Sequence, residues 1–585
     1  MSGICGTYGK GDIEEMTRVL AHRGPDDMGY YLEGPLQLGV QRLAIFDIAG
    51  GHQPLGNEKQ NVWIALDGDV FNHEEIRAQL EKDGHQFRSR TDTETVVHAW
   101  EQWGPACLDR FNGQFALALW DGQLLHLARD RMGEKPLYFY HRGSRLLFAS
   151  EIKSLVTQVS AVPRLTDEFR DFEAPVAPDT LFQNIHELPA GHRAVFDGHT
   201  LNVMSWWEVP SFDGPYRSHD DYSEELRSLL MDAVAIRLKG EVPVGVFLSG
   251  GVDSAALACL SKPEHAFFVT FRDSGEAYDE LDEARLVAER IGSKLHVIRP
   301  KYGELRNRLP RIVWHLDQPV GSVSSLATFM AAEAASKKVK AILSGQGADE
   351  LFGGHVRYLM MLAEDRLGRE PALQLYLPLA RYFWNPAMFT DPIDRYYTLI
   401  NRGPGHDPRC RARIARYMGR YRHLIDQMGF TDLMLMLPTV LAMDDRATAA
   451  YGIENRNPFL DHRIVEFAFR LPPELKAHNF LSKVILRQAM RGIVPDPILD
   501  RNEKMGLAVP VTRWLNNELK AWADVRTKRF RERIEGNFLN AAWDAAGPRG
   551  EFDRRRYTRV CLELWMELMI EGGAANWDES GFTAP

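Results

Sequence analysis

The stretch Val246-Phe247-Leu248-Ser249-Gly250-Gly251-Val252-Asp253-Ser254 restricts the fold more than any other part of the chain. Pro243 to Leu248 predicts a buried strand, the Ser/Gly run a tight turn, and Ser254 through Ala258 the opening of a helix. A turn of this build collects backbone N–H groups in one concavity, with the positive end of a helix behind them. That is an anion site, most naturally for phosphate. The pattern G-x-x-x-x-G-K-[ST] and its lysine are absent, which excludes the P-loop of kinases and GTPases. Asp253 stands in the turn instead, and a carboxylate beside phosphate points to a bridging Mg²⁺.

The same alternation continues downstream. Strand candidates at Ala266–Phe271, Leu295–Ile298 and Lys340–Leu343 alternate with helix candidates at Asp282–Ile291 and Leu326–Lys337, after an amphipathic helix at Tyr222–Leu238. The pattern predicts a parallel sheet with helices on both faces. Ligands of such sheets bind at the carboxyl ends of strands, where Ser249 and Ser344 stand. From about Tyr358 the chain reads as mostly helical, with Arg381–Trp384 and Arg554–Arg559 as packing and solvated faces.

Met1 to about Trp207 reads as a β-rich domain. Gly29–Asp47 alternates in polarity, and Asn61–Leu66 and Phe115–Trp120 are apolar strand candidates. Leu124–Ala128 is expected to pair with Leu137–Tyr140 across a turn at Gly133, and His73–Asp83 and Thr93–Trp103 have helical spacing. Short strands with two helices predict stacked sheets covered by helices. Gly, Pro and polar residues at Ser211–Ser218 mark a linker. The expected division is a first domain at 1–207, a linker at 208–220 and a second domain at 221–585.

A chain of 585 residues has material for several domains. A formal net charge of −10 disfavours nucleic-acid binding. The five cysteines are scattered and form no C-x-x-C, which indicates neither a disulfide framework nor a zinc site. The polar, Gly-rich N-terminus does not resemble a signal peptide, and no apolar run approaches the ~18 residues of a membrane span. A cytoplasmic protein with small-molecule partners, no nucleic acid and no membrane is expected; a homodimer is left open.

Two further stretches join the first: Leu343-Ser344-Gly345-Gln346-Gly347-Ala348-Asp349-Glu350-Leu351-Phe352-Gly353-Gly354, and Glu454-Asn455-Arg456-Asn457-Pro458-Phe459-Leu460-Asp461-His462. The set resembles the glutamine-hydrolysing asparagine synthetases of the B type and their relatives, the β-lactam synthetases. Gly3-Ile4-Cys5-Gly6, His22-Arg23-Gly24-Pro25-Asp26, Arg42-Leu43-Ala44-Ile45, Thr91-Asp92-Thr93-Glu94 and Ala128-Arg129-Asp130-Arg131 are similar to that family's glutaminase segments. Match and order run from residue 2 to about residue 515.

The resemblance implies an α/β multidomain enzyme: an N-terminal Ntn-type αββα glutaminase-like sandwich, then an α/β parallel-sheet ATP pyrophosphatase (PP-loop) domain with a helical extension. The first would hydrolyse glutamine and pass ammonia to the second. There ATP would adenylate a carboxylate, releasing pyrophosphate, and the amine would attack. On this resemblance Ser249, Gly250, Gly251, Ser254, Ser344 and Gly345 face phosphate, Asp253 and Asp349 hold Mg²⁺, and Leu248 and Val269 hold adenine. Lys504 approaches the α-phosphate, where a fixed ammonium stabilises developing charge. Arg42 takes the carboxylate of glutamine, Asp69 and Asp92 its amino group, and Asp67-Gly68 the oxyanion site. Lys483 reads equally as a phosphate contact or a solvated helix residue.

Three departures matter. The family nucleophile is Cys directly after the initiator Met; here that residue is Ser2, and a hydroxyl is essentially never ionised. The family's Asn-Gly is Asp67-Gly68, and a carboxylate has no proton for the oxyanion; losing such a donor costs about 10²–10³ in rate. Gln346 replaces an acidic residue near the incoming amine and cannot act as a base, and His355 follows Phe-Gly-Gly where an aromatic residue is common. The expected function is an ATP-dependent amide-forming ligase with an impaired glutaminase, fed by glutamine, free ammonia or another amine. The alternatives are a β-lactam synthetase-like enzyme, a non-catalytic homologue and a sulfur-transfer adenylating enzyme.

Overall fold

The computed structural model describes residues 2–211, 214–272, 279–369, 390–401, 407–501, 509–533 and 554–572. In the N-terminal half the strands are β1 Gly3–Tyr8, β2 Asp27–Glu33, β3 Leu36–Arg42, β4 Leu55–Gly56, β5 Trp63–Val70, β6 Gly113–Trp120, β7 Leu125–Arg129, β8 Tyr138–Arg142, β9 Arg145–Ala149, β10 Ile185–Glu187, β11 His192–Phe196 and β12 Leu201–Ser205. They form two six-stranded sheets, ordered β10-β8-β9-β1-β3-β2 and β12-β11-β7-β6-β5-β4. Period-two alternation decides which residues lie between them. Along β5 and β6 the small Ala65, Ala116 and Ala118 meet Ile4, Leu38, Val40 and Phe148 of the other sheet. The intervening Ile64, Leu66, Leu117 and Leu119 pack outward against helices α1 His73–Lys82 and α2 Asp92–Trp103. The result is a sheet-on-sheet sandwich with helical cover.

One sequence expectation is corrected here. β7 does not pair with β8: it lies between β6 and β11, while β8 belongs to the other sheet, beside β9 and β10. The turn at Gly133 (φ 69°) therefore carries the chain from one layer to the other. Apolar content alone cannot distinguish a hairpin from this corner, since both join two buried strands.

The C-terminal half contains α3 His219–Arg237, β13 Val244–Phe247, α4 Val252–Ser261, β14 His265–Val269, α5 Leu281–Ile291, β15 Lys294–Ile298, α6 Ser325–Ser336, β16 Ala341–Leu343, α7 Leu437–Ala449, β17 Glu454–Arg456 and α8 Val484–Ala489. The sheet order is β15-β14-β13-β16-β17, every pair parallel. Both faces are buried: Val246, Ala266, Phe268 and Leu343 join the core with α3, α4 and α5, and Phe267 and Ile342 join the opposite core with α6. The expected parallel sheet is present. Its fifth strand, β17, comes from the Glu454-Asn455-Arg456 motif, which is too short and polar to read as a strand.

The two halves meet along β17 and α7. Arg456 is fully buried; it donates to Glu454 Oε1 (2.7 Å) and, across the junction, to Asp69 Oδ2 (2.6 Å) on β5. Gln114 Nε2 donates to the Asn455 carbonyl (3.0 Å) and Asn112 to Asp461 (2.8 Å). Removing one member of a buried ion pair strands its partner. Arg456→Met is therefore expected to cost about 3–5 kcal/mol, read as a lower urea midpoint. Asp69→Asn in the same background should recover part of the loss, since the two side chains are directly coupled.

Candidate functional site

Beyond the carboxyl ends of β13, β14 and β16 lies a cavity of about 420 Å³, lined by Leu248 to Ser254, Val269, Ser344 to Gln346, Asp349, Asp444 and Lys483. The Ser-Gly-Gly turn forms one wall. Gly250 lies so close to α5 that a Cβ would come within 2.6 Å of Glu280 Cβ, so only glycine fits. Ser249 N–H donates to Ser254 Oγ (2.9 Å), and Gly251 N–H to Ser249 Oγ (3.2 Å). Gly250 N–H donates to the Glu280 carboxylate (3.1 Å), which is paired with Arg501 (3.1 Å). These amides thus meet protein oxygens, one of which belongs to an anion. Burial raises the Glu280 carboxyl above its ordinary range, with Arg501 opposing.

Asp253, in the first turn of α4, and Asp349, in the first turn of the short helix Ala348–Phe352 after β16, converge on one ammonium. Lys483 Nζ contacts the Asp253 carboxylate and lies 2.6 Å from Asp349 Oδ1. The lysine is buried, not solvated, and has a left-handed φ of 57° at the start of α8. Such a conformation costs energy in a side-chain-bearing residue and is held by its surroundings. Burial opposes its charge, but Asp253 and Asp349 keep the ammonium above its ordinary value. Asp253 Oδ1 has no hydrogen-bond partner among the described residues. Two carboxylates, one with an unused oxygen, beside an anion-holding loop are donors suited to Mg²⁺, which is held by one or two carboxylates plus phosphate. Gly345 packs against Asp253 Cβ and so brings the two loops together. Lys504 lies outside the described residues.

In the N-terminal half, Ser2 is buried at the head of β1. Its N–H donates to Asp67 Oδ1 (2.9 Å), and its Oγ accepts from Leu43 N–H at 3.4 Å. Asp67 Oδ2 accepts from Arg23 (2.9 Å) and Ser150 (3.0 Å). Among the described residues the hydrogen bonds to Asp67 all come from donors, so the side chain beside Ser2 acts as an acceptor; burial raises its carboxyl, with Arg23 opposing. Gly68 (φ 102°) would place a Cβ 2.0 Å from the Gln114 carbonyl, so this point of β5 too requires glycine. Arg42 spends its guanidinium on the carbonyls of Phe46, Asp47 and Ile48. Asp92 accepts from the N–H groups of Val70 (2.9 Å) and Thr93 (2.8 Å), while Asp69 is held by Arg456.

Helix α7 lies between the two sites. At 3.6 residues per turn, three successive side chains point three ways. Asp444 Oδ2 accepts from Gln346 Nε2 (2.9 Å) at the nucleotide-like cavity. Asp445 accepts from Arg23 (2.8 Å) toward Ser2. Arg446 donates to the Ser150 carbonyl (3.1 Å) and pairs with Asp317. A larger cavity of about 890 Å³, bounded by Met443, Arg446 and Arg129, contains neither the Ser-Gly turn nor Ser2. Sequence reasoning missed Asp444, Glu280 and Arg501. The signal for Asp444 was an Asp-Asp-Arg triplet inside the apolar run 433–450.

Residues 225–568 match the asparagine synthase family and residues 1–207 the glutamine amidotransferase domain. The chain is 29% identical to asparagine synthetase [glutamine-hydrolyzing] 1 of Bacillus subtilis, over 96% of this chain and 94% of that one. It is 31% identical to a putative asparagine synthetase [glutamine-hydrolyzing] of Mycobacterium tuberculosis, again over 96% and 94%. Amidase chyE of Penicillium rubens is 28% identical over 84% of each chain. With the parallel sheet, the Ser-Gly turn and the paired aspartates in place, these matches show that the chain belongs to the asparagine synthase family of ATP-dependent ligases that form carbon–nitrogen bonds, with a glutamine amidotransferase domain ahead of the synthase domain.

Proposed function

We propose that this protein adenylates a carboxylic acid with ATP in the cavity beyond β13 and joins it to ammonia or another amine not drawn from glutamine. The observation that carries the ligase half is the Asp253–Lys483–Asp349 cluster beside the Ser249–Ser254 turn. In this reading the triphosphate displaces Glu280 from Gly250 N–H, and the neighbouring amides and Ser344–Gly345 take up the outer phosphates. Leu248 and Val269 hold adenine, and Lys483 fixes the two aspartates and offsets charge on departing pyrophosphate. Mg²⁺, held by Asp253 and Asp349, would neutralise phosphate charge.

The muted first half is carried by the Ser2–Asp67 contact. A tetrahedral intermediate at Ser2 would place its oxyanion beside a carboxylate that is itself an acceptor, so both nucleophile and oxyanion donor are deficient. Asp69 and Asp92 remain as acceptors for an amino group, but burial raises both carboxyls and Asp69 is already held by Arg456.

Purified protein should release little glutamate from glutamine, and Ser2→Ala should leave ammonia-fed amide formation unchanged; brisk release abolished by Ser2→Ala would overturn the muted reading. The double change Ser2→Cys with Asp67→Asn should raise glutamate release at least tenfold over either single variant, because both defects must be repaired together. For the ligase, ATP–pyrophosphate exchange is screened with L-aspartate, L-glutamate and peptides bearing either residue. Asp253→Ala and Lys483→Met should each lower exchange by at least 10², in line with loss of preorganised charge at a reacting group; normal exchange by Asp253→Ala would contradict the assignment.

A further inference from the structure

Asp444 stands apart from the other acids of the nucleotide-like cavity. Asp253 and Asp349 are paired with Lys483, and Glu280 with Arg501. Asp279 is engaged at the end of β14, by the Thr270 hydroxyl and Leu281 N–H. Asp444 is buried on α7, receives a hydrogen bond from the neutral Gln346, and has no ion-pair partner among the described residues. A buried carboxylate without a counter-charge is costly to keep in a core and is retained where its proton is used. Burial raises this carboxyl to about 7, with Gln346 and Ser344 opposing and Asp445 adding to the rise.

We infer that Asp444 is the base that accepts a proton from the incoming ammonium group, with Gln346 positioning its carboxylate. The inference rests on the ligase reading above. Gln346 has no basic site of its own, but its amide N–H₂ donates to the Asp444 carboxylate (2.9 Å) and orients it beside the loop. The nitrogen loses one proton to Asp444 and becomes a neutral amine. Its lone pair then forms the C–N bond with the acyl carbon while the C–O bond to AMP breaks. The departing phosphate takes the electron pair and the second nitrogen proton. Asp444 returns its proton to solvent before the next turnover. A carboxyl near neutrality suits this transfer far better than one in the ordinary range, because proton transfer from an ammonium is then less uphill.

The test separates adenylation from amide formation, using whichever acid of the exchange screen the wild type activates. Asp444→Asn should keep exchange within about threefold of wild type and lose about 10²-fold or more in ammonium-dependent amide formation, the range of a lost general base. Hydroxylamine, largely uncharged at neutral pH, should restore hydroxamate formation to that variant. Gln346→Glu in the Asp444→Asn background should recover ammonium-dependent turnover, a rescue that a merely structural role of Asp444 would not give. Unchanged amide formation in Asp444→Asn, or equal loss of exchange and amide formation without hydroxylamine rescue, overturns this inference alone. Absence of exchange with every acid in the wild type overturns the ligase reading and this inference with it.

Discussion

Buried guanidinium groups need carboxylates around them, and Arg23 is where that requirement ties the molecule together. It is fully buried and donates to Asp67 and Glu151 of its own half and to Asp445 of the other. Burial works against its charge, and the three carboxylates hold it above its ordinary value. Arg456 repeats the arrangement from the opposite side, with Glu454 in its own half and Asp69 across the junction. Such groups define one docking geometry, because a displaced charge would lie buried without a partner. The orientation of α7, and everything it presents to either site, follows from that docking.

The same charges shape what the first half can do. Asp67 serves Arg23, Ser150 and Ser2 together, so it is part of the junction as much as of the pocket. A carboxylate suits a site surrounded by donors and does not suit an oxyanion. The residue that departs from the family pattern is therefore well satisfied where it stands.

In the second half the charge is arranged for a different purpose. Lys483 draws Asp253 and Asp349 together from the first turns of two helices that only the parallel order of β13 and β16 makes neighbours. Asp444 enters the same cavity from a helix, without a cation among the described residues. Fixed charge at one end and an unpaired carboxylate at the other are what a site needs if phosphates are held at one place and a proton is moved at another.

Much of this was legible in the chain. Short-range pattern gave the strand-turn-helix at Val246–Ser254, the alternation of a parallel sheet and the apolar strands that became β5 and β6, because period and turn chemistry are local properties. The Ser2 and Asp67 departures were visible as residue identities. The β7–β8 pairing was misread, since the choice of sheet is made by packing between layers. Asp444 showed only as part of a charged triplet in an apolar run, and Glu280 and the burial of Lys483 were invisible, because each depends on elements distant in sequence. Sequence by itself determined the kinds of element, the loops that can hold an anion and the loss of a thiol nucleophile. Only the tertiary structure decided which charges meet. Lys483 could be placed between two aspartates, Arg456 against Asp69 and Asp444 against Gln346 only after the docking of α7 and β17 had removed water from all of them, and desolvation is a property of the packed whole.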